Sequence, residues 1–354
     1  MKIYSVCKFV GIDEDDILLR IKIENEKDLV DEWILIMNKR RWNGDVINNA
    51  SFEKIISKKF YEPYKNRIIC IKIEVSPWDK TFPIWDEGLS KFCNPQDQKS
   101  NYEYYRALCR EKDTSENRKH LERFMLSTAR HHSSFAYDYL MKKAKAKDII
   151  LISDLDESID TTIKYKKEMI QTFLSRISKL EVGGRILRHK FQYDYINSWP
   201  EESYRPLQEK GTRWIHSVSW KLIKEYGRYA FQDFRALDMR NNLVSNEASL
   251  AFEYTLCCGL TELKNKFKYN GHANGTSELD IITALKLNRS CIDTSKLSYS
   301  EILAKLNTSM NFEFIKNLDE RRSSKYILDN LTALRTYNVP ANYDSYRKRL
   351  SELV

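Results

Sequence analysis

The 354-residue chain lacks any stretch that approaches the roughly 20 consecutive apolar residues of a membrane-spanning helix. Near its start, Asp and Glu interrupt the sequence before an apolar run long enough for a signal peptide can form. Fixed-period repeats, heptads and low-complexity tracts are also absent, which excludes solenoids, coiled coils and collagen-like proteins. Only 10 Gly and 7 Pro interrupt the chain, so we expect long elements with short connections.

The seven cysteines are scattered, and their spacing matches neither a zinc site nor a secreted disulfide framework. We therefore expect a reduced, cytoplasmic protein. The 59 basic residues exceed the 50 acidic ones, for a net charge of +9, and they are spread along the whole chain. This distribution favours phosphorylated ligands, or peripheral contact with an anionic membrane, over dedicated nucleic-acid binding.

Short apolar runs alternate with longer helical patterns, which is typical of an α/β domain. Strands are predicted at 2–11, 33–37, 67–73, 148–153, 185–196 and 214–218. Helices are predicted from Asp13 onward, over 115–145 and over 161–180, the last ending at Gly183-Gly184. An irregular loop is expected over 77–113. We expect one large domain over 1–275, followed by a mainly helical C-terminal extension over 276–354.

The segment ILISDLDES, residues 150–158, joins a short apolar run to a cluster of carboxylates. Such a run is typical of a central strand that is covered on both faces. Strand alternation predicts that Asp154 and Asp156 lie on the same side of the chain, at the strand end where α/β sheets bind ligands. Because two carboxylates repel each other, the pair favours a hard divalent cation, Mg²⁺ or Mn²⁺, which keeps coordination sites for diphosphate oxygens.

Three other interpretations of this segment compete. In the first, Asp154 and Asp156 are ordinary turn or helix-cap residues. The second, the Walker B strand of an ATPase, is disfavoured because the chain has no G-x-x-x-x-G-K-[ST] sequence. The third is a haloacid-dehalogenase-type phosphatase, with Asp154 as nucleophile, Asp156 as acid, and Asp233 and Asp238 as a later acidic pair. Against the third, a long α/β pattern precedes the motif, which in those phosphatases opens the domain.

In the order of its motifs the chain resembles glycosyltransferase family 17, the family of the bisecting N-acetylglucosaminyltransferase. The likeness rests on FVGIDEDDILL (9–19), VDEWILIM (30–37) with RWNG (41–44), DIILISDLDE (148–157), and FQYDY (191–195) with Trp214 beyond it. It implies a GT-A nucleotide-sugar domain with a mostly parallel sheet over residues 1–275. It also implies a UDP-sugar donor, with UDP-N-acetylglucosamine favoured, inversion at the anomeric carbon, and a glycan or lipid-linked glycan acceptor.

The chain departs from the family pattern at three places. Met37 stands where the family has Glu, and Ser158 replaces the hydrophobic residue that follows the acidic motif. The family's G-W-H-F-S is expected near 249–253, where its Trp and His are missing. A non-catalytic nucleotide-sugar-binding protein is therefore a further alternative to a transferase.

Individual residues can be assigned candidate roles. The candidates for donor binding are Glu14, Asp16, Arg130, Asp154 and Trp214, with a surface ion pair as the alternative for Arg130. The candidate metal ligands are Asp154 and Asp156, joined by His272 because family members carry a His in a similar late position. An inverting transfer needs a carboxylate base, for which the candidates are Glu157, Asp233, Asp238 and Glu247. Glu157 can equally orient the metal ligands, and His132 is expected to be a buried, hydrogen-bonded histidine.

Overall fold

The computed structural model describes residues 1–40, 46–47, 51–74, 84–86, 91–93, 132–192, 195–197, 214–228, 243–245, 250–254, 312–314, 324–327 and 329. The strands in these ranges are β1 (Ile3–Phe9), β2 (Glu32–Asn38), β3 (Ile68–Ile73), β4 (Ile84–Asp86), β5 (Lys91–Cys93), β6 (Ile149–Ser153), β7 (Glu157–Ile159), β8 (Gly183–Gln192), β9 (Tyr195–Asn197), β10 (Trp214–Ser219), β11 (Leu243–Ser245), β12 (Ala251–Glu253) and β13 (Phe312–Phe314). The helices are α1 (Asp13–Glu26), α2 (Phe52–Ile56), a 3₁₀ helix (Lys59–Arg67), α3 (Ala136–Lys143), α4 (Lys164–Leu180) and α5 (Trp220–Tyr226).

Four parallel strands form the centre of the sheet, in the order β3-β2-β1-β6. β10 lies antiparallel beside β6, and β8 lies antiparallel beside β10. From β1 the chain runs outward to β2 and β3, and then returns to β6 on the other side of β1. The strand order therefore reverses between β1 and β6, which is the kind of switch point where α/β sheets bind ligands. The predicted α/β class with a mostly parallel central sheet is confirmed.

Helices cover both faces of the sheet, which explains the continuously apolar sequence of β6. Ile149 and Leu151 belong to the core that includes α1 and α4. Ile150 and Ile152 belong to the core that includes α3 and α5. We call these two sides of the sheet the α1 face and the α3 face. Since every residue of β6 is buried, the prediction of a central strand covered on both faces is confirmed.

The predicted strands correspond to β1, β2, β3, β6, β8 and β10, and the second long helix ends at Leu180 as predicted, but the role predicted for Gly183-Gly184 in ending it is wrong. α4 ends at Leu180, with Glu181 in the left-handed conformation at φ 57°, and Gly183-Gly184 open β8 instead. The physical reason is packing, because a Cβ on Gly184 would lie 2.2 Å from Cδ1 of Ile177. Gly184 thus allows α4 to approach the sheet closely.

Other predictions are met only in part. The region expected to be an irregular loop, 77–113, includes a hairpin of β4 and β5. The helix predicted over 115–145 contains α3, while residues 115–131 and the domain boundary at 275 lie outside the described residues. Within 276–354 the structure describes β13 and helical residues 325–327, with Ile327 in the core of the α1 face. None of the helices in the described ranges combines the length and hydrophobicity that crossing a bilayer requires.

Candidate active site at the carboxyl ends of the parallel strands

The acidic motif forms a turn, which we call the acidic turn and define as Asp154–Glu157. β6 ends at Ser153 and β7 begins at Glu157, so strand alternation does not relate Asp154 to Asp156, and that part of the prediction is wrong. The backbone N–H of Glu157 donates to the carbonyl of Asp154 over 3.1 Å. In return the N–H of Asp154 donates to Oε2 of Glu157 over 2.9 Å. The Glu157 carboxylate therefore closes the turn, and it is almost fully buried.

The acidic turn lies at the switch point of the sheet, beside the carboxyl end of β1. Asp154 directly follows β6, whose last residue, Ser153, is paired with Cys7 of β1. The next residue of β1, Lys8, places its Nζ 2.7 Å from Oδ1 of Asp154. The side chains of Lys8 and Asp154 are 22% and 31% exposed, so the pair is accessible to solvent. An accessible, oppositely charged pair thus spans the two strands at which the order reverses.

Further polar side chains lie on the α3 face near the same end of the strands. Cys7 and Phe9 belong to the core of the α1 face, so the intervening Lys8 lies on the α3 face. By the same alternation His216 of β10 and Arg185 of β8 lie on the α3 face, and the two are directly paired. Both are buried. Cationic and imidazole groups therefore share this face with Asp154, which suits an anionic ligand.

His132, which precedes α3, contacts the last residue of β2. Its Nε2 lies 3.1 Å from Nδ2 of Asn38, the last residue of β2, and both side chains are buried. The expectation of a buried, hydrogen-bonded histidine is confirmed.

On the α1 face, the fully buried Lys22 of α1 lies beneath the acidic turn. Its Nζ donates to Oε1 of Glu26 over 3.0 Å, to Oγ of Ser153 over 2.9 Å and to the carbonyl of Glu157 over 2.6 Å. Burial lowers the pKa of Lys22, but its attraction to Glu26 outweighs this effect and the pKa is raised overall. Lys22 therefore contacts Ser153, the residue before the acidic turn, and Glu157, the last residue of the turn. Burial raises the pKa of the neighbouring Cys7 thiol to about 12, which makes that thiol an inert core group.

A second group of contacts fixes the segment that follows the turn. Nδ2 of Asn25 donates to Oγ of Ser158 and to the hydroxyl of Tyr254, each over 2.9 Å. The backbone N–H of Tyr254 donates to the carbonyl of Asp156 over 2.6 Å. Nζ of the fully buried Lys166 of α4 lies 2.7 Å from Oδ2 of Asp160. Residues 153–158 are thus held by α1 and the β12 segment, while α4 holds Asp160, beyond β7.

The β12 strand brings the sequence expected to replace the family's G-W-H-F-S beside the acidic turn. β12 pairs antiparallel with β7, with Phe252 opposite Ser158 and Glu253 opposite Glu157. Within that sequence the structure describes residues 250–253, which lie next to the acidic motif.

The loop between β1 and α1 lies at the same end of the sheet and is tightly built. Gly11 has φ +82°, and a Cβ there would lie 2.7 Å from Cε of Met37, the residue that departs from the family pattern. Oδ2 of Asp15 accepts hydrogen bonds from the N–H groups of Val10 and Gly11 over 2.8 and 2.7 Å. Asp15 is therefore a structural carboxylate that sequence analysis did not single out.

The structure brings together only some of the predicted site residues. Asp154, Asp156 and Glu157 share the acidic turn, Glu14 lies in the first turn of α1, and Trp214 opens β10. Asp16, predicted to bind the donor, is instead buried, with its Oδ1 and Oδ2 accepting hydrogen bonds from three side chains, those of Arg20, Lys58 and Tyr61. Outside the described residues lie Arg130, Asp233, Asp238, Glu247 and His272.

The described residues alone do not form a complete metal-binding shell. In these ranges no three His, Cys, Asp or Glu side chains lie close enough together to hold a metal ion. Asp154 and Asp156 nevertheless provide the hard oxygen ligands that Mg²⁺ and Mn²⁺ prefer. Mg²⁺ is commonly bound by one or two carboxylates together with substrate phosphates and water, and the acidic turn fits that mode of binding.

Comparison with known proteins gives only distant similarity. No protein-family model and no curated protein matches the chain. Among solved structures, S. aureus TarS 1-349 is similar at 9% identity over 88% of this chain and 81% of that chain, with a TM-score of 0.35. The same fragment in complex with UDP-GlcNAc gives 10% identity over 86% and 71%, with a TM-score of 0.36. A longer TarS structure gives 10% identity over 98% and 50%, with a TM-score of 0.37. Similarity this low does not by itself establish a common fold or function.

Proposed function

We propose that this protein is a metal-dependent, inverting glycosyltransferase of the GT-A type, which moves a sugar from a UDP-sugar donor to a glycan or lipid-linked glycan. The observation that carries the proposal is the position of the acidic turn, which directly follows a central strand at the switch point of the sheet. The resemblance to glycosyltransferase family 17 indicates the type of reaction and favours UDP-N-acetylglucosamine as the donor.

In this proposal Asp154 and Asp156 hold a Mn²⁺ or Mg²⁺ ion. When bound, the ion neutralises the charge that develops on the diphosphate leaving group. Lys8 pairs with Asp154 and is accessible to solvent, so the diphosphate would meet a cationic side chain as well. His272 stays a candidate third ligand.

Glu157 is proposed to support the turn rather than to act as the catalytic base. Its carboxylate is almost fully buried and accepts a hydrogen bond from the Asp154 N–H. A base must reach the acceptor hydroxyl, and the burial of Glu157 argues against it in that role, while Asp233, Asp238 and Glu247 stay candidates.

A calorimetric titration of UDP, GDP and their sugar conjugates, with and without Mn²⁺, tests the proposal on wild type and on Asp156→Ala. We expect one nucleotide to bind more tightly with Mn²⁺, and the substitution to abolish this metal-dependent gain. Asp28→Ala is the matched control, because it removes an exposed carboxylate from the turn after α1, at the opposite end of the strands.

Two other results would identify the alternatives. Absence of any nucleotide binding, together with Asp154-dependent hydrolysis of a generic phosphate ester, would replace the transferase with the phosphatase. Metal-dependent binding of a nucleotide sugar without transfer or slow hydrolysis would identify a non-catalytic binding protein.

A further inference from the structure

We propose that Lys22 is a positioning residue. From the α1 face of the sheet, it holds the acidic turn in the shape that binds the ligand on the α3 face. The role in ligand binding rests on the proposed function, whereas the role in holding the turn does not. An ammonium group has three N–H donors. Lys22 directs them at Glu26 Oε1, at Ser153 Oγ and at the Glu157 carbonyl, over 3.0, 2.9 and 2.6 Å.

Two of these acceptors, Ser153 Oγ and the Glu157 carbonyl, lie on either side of Asp154 and Asp156 in the sequence. Ser153 is the residue before Asp154, and Glu157 is the residue after Asp156. One rigid cation on α1 therefore fixes both ends of the turn, while the Glu157 side chain closes it from within. The positions of Asp154 and Asp156 follow from these two fixed ends.

Core stability alone is a poor reason for a lysine at this position. Ile21 and Ile23 on either side are fully buried, and so is Lys22 itself. Burial of an ion pair carries a desolvation cost that often matches its attraction, so an apolar side chain would serve the core equally well. What an apolar side chain cannot supply is a pair of directed hydrogen bonds to Ser153 and Glu157. The second oxygen of Glu26 accepts a hydrogen bond from Nε1 of Trp33 over 2.9 Å, which fixes the pair in turn.

The chain offers a matched control in Lys166, which is also a fully buried lysine on a helix of the α1 face. Its Nζ lies 2.7 Å from Asp160 and 5.1 Å from the centre of the Phe252 ring. Asp160 follows β7, three residues beyond Glu157. Loss of either pair removes a buried ion pair of similar type, but only Lys22 bonds to the two ends of the acidic turn.

The test compares Lys22→Met/Glu26→Gln with Lys166→Met/Asp160→Asn, since each double variant neutralises its pair without leaving a lone buried charge. Hydrogen exchange is measured at the N–H groups of Asp154 and Glu157, which close the turn. We expect exchange at these two sites to rise about tenfold or more in the Lys22 variant and to stay within about twofold in the control. In parallel, the gain in UDP affinity that Mn²⁺ provides should fall about tenfold or more in the Lys22 variant only.

Equal effects of the two double variants on exchange at the turn would overturn the proposal, because Lys22 would then act only through general stability. If wild type shows no metal-dependent nucleotide binding, the proposed function fails, and the exchange measurement still decides the role of Lys22. If the Lys22 variant does not fold, Ser153→Ala removes one of the two acceptors with little change in volume. Exchange at Glu157 should then rise about threefold or more, and no change there would overturn the proposal.

Discussion

Substitution of Gly184 by alanine is expected to destabilise the protein by about 1–3 kcal/mol, because the new methyl group would enter an occupied part of the core. Its Cβ would lie 2.2 Å from Cδ1 and 3.0 Å from Cγ1 of Ile177, and 3.1 Å from Cζ of Phe173. Ile177 is fully buried, so its side chain cannot move into solvent. Either α4 moves away from β8, or Ile177 adopts a strained rotamer.

The variant Ile177→Val identifies which atom causes the conflict. It removes Cδ1, the atom nearest to the new methyl group, and by itself should cost about 0.5–1.5 kcal/mol. In Gly184→Ala/Ile177→Val the new methyl occupies part of the space that Cδ1 leaves. The double variant should therefore be more stable than the sum of the single effects predicts, by about 1 kcal/mol.

The free energies of unfolding of the four proteins can be measured by urea denaturation, followed by tryptophan fluorescence. Ile170→Val is the control, because Ile170 is also fully buried on α4 but is not among the side chains nearest to Gly184. Its effect should add to that of Gly184→Ala. Strict additivity with Ile177→Val as well would refute the reasoning, since Cδ1 would then not oppose the added methyl group.

Two further predictions concern charged groups of the site. Lys8→Met should raise the affinity for Mn²⁺ alone up to about fivefold, since a partly exposed ion pair such as the one with Asp154 contributes about 0.2–1 kcal/mol. The control Lys221→Met removes the same charge beside Glu181 at the other end of the sheet, and calorimetry should show an unchanged Mn²⁺ affinity. The second prediction concerns Asp16. Burial raises the pKa of Asp16, but hydrogen bonds from Lys58, Tyr61 and Arg20 outweigh burial and lower the pKa overall. The ionised Asp16 carboxylate therefore stabilises the folded protein above the unfolded-state pKa, and this contribution is lost as pH falls through the folded-state pKa. Asp16→Asn should therefore lower the free energy of unfolding by about 1–3 kcal/mol at neutral pH and by progressively less in acid. Urea denaturation at neutral and at acidic pH checks this, and an equal loss under the two conditions would contradict it.

The strands were predictable because their apolar runs are short and continuous. In β6 the run ends abruptly at Ser153, and the carboxylates follow at once, so both the central strand and the location of the acidic turn could be read from the sequence. The shape of the turn could not, because the alternation rule holds only while the strand continues. The strand ends one residue before Asp154, and hydrogen bonds to Glu157 set the geometry from there.

The buried lysines were missed because a lysine on a helix is usually interpreted as solvent-facing. In α1, Lys22, Asn25 and Glu26 share one side of the helix and look like an exposed polar stripe. A signal was nevertheless present, because the residues at 17, 18, 19, 21 and 23 are all apolar and surround the helix. A helix that is apolar on most sides is a buried one, so its polar stripe has to contact other protein groups rather than water.

Lysines on the two faces of the sheet contact the acidic turn in different ways, and the difference suits the proposed reaction. The side chain of Lys22 is fully buried where it contacts Ser153 and Glu157. Breaking these contacts would leave N–H donors of a buried ammonium group without acceptors, which is costly. Lys8 meets Asp154 on the other face in partial contact with solvent, where an ion pair is worth little and is readily exchanged. If Asp154 holds a metal ion in the proposed reaction, the Lys8 ammonium would be free to turn from Asp154 to the diphosphate of the donor. The proposed transferase would need a frame that stays fixed and one counter-charge that can move, and Lys22 and Lys8 would meet those two requirements.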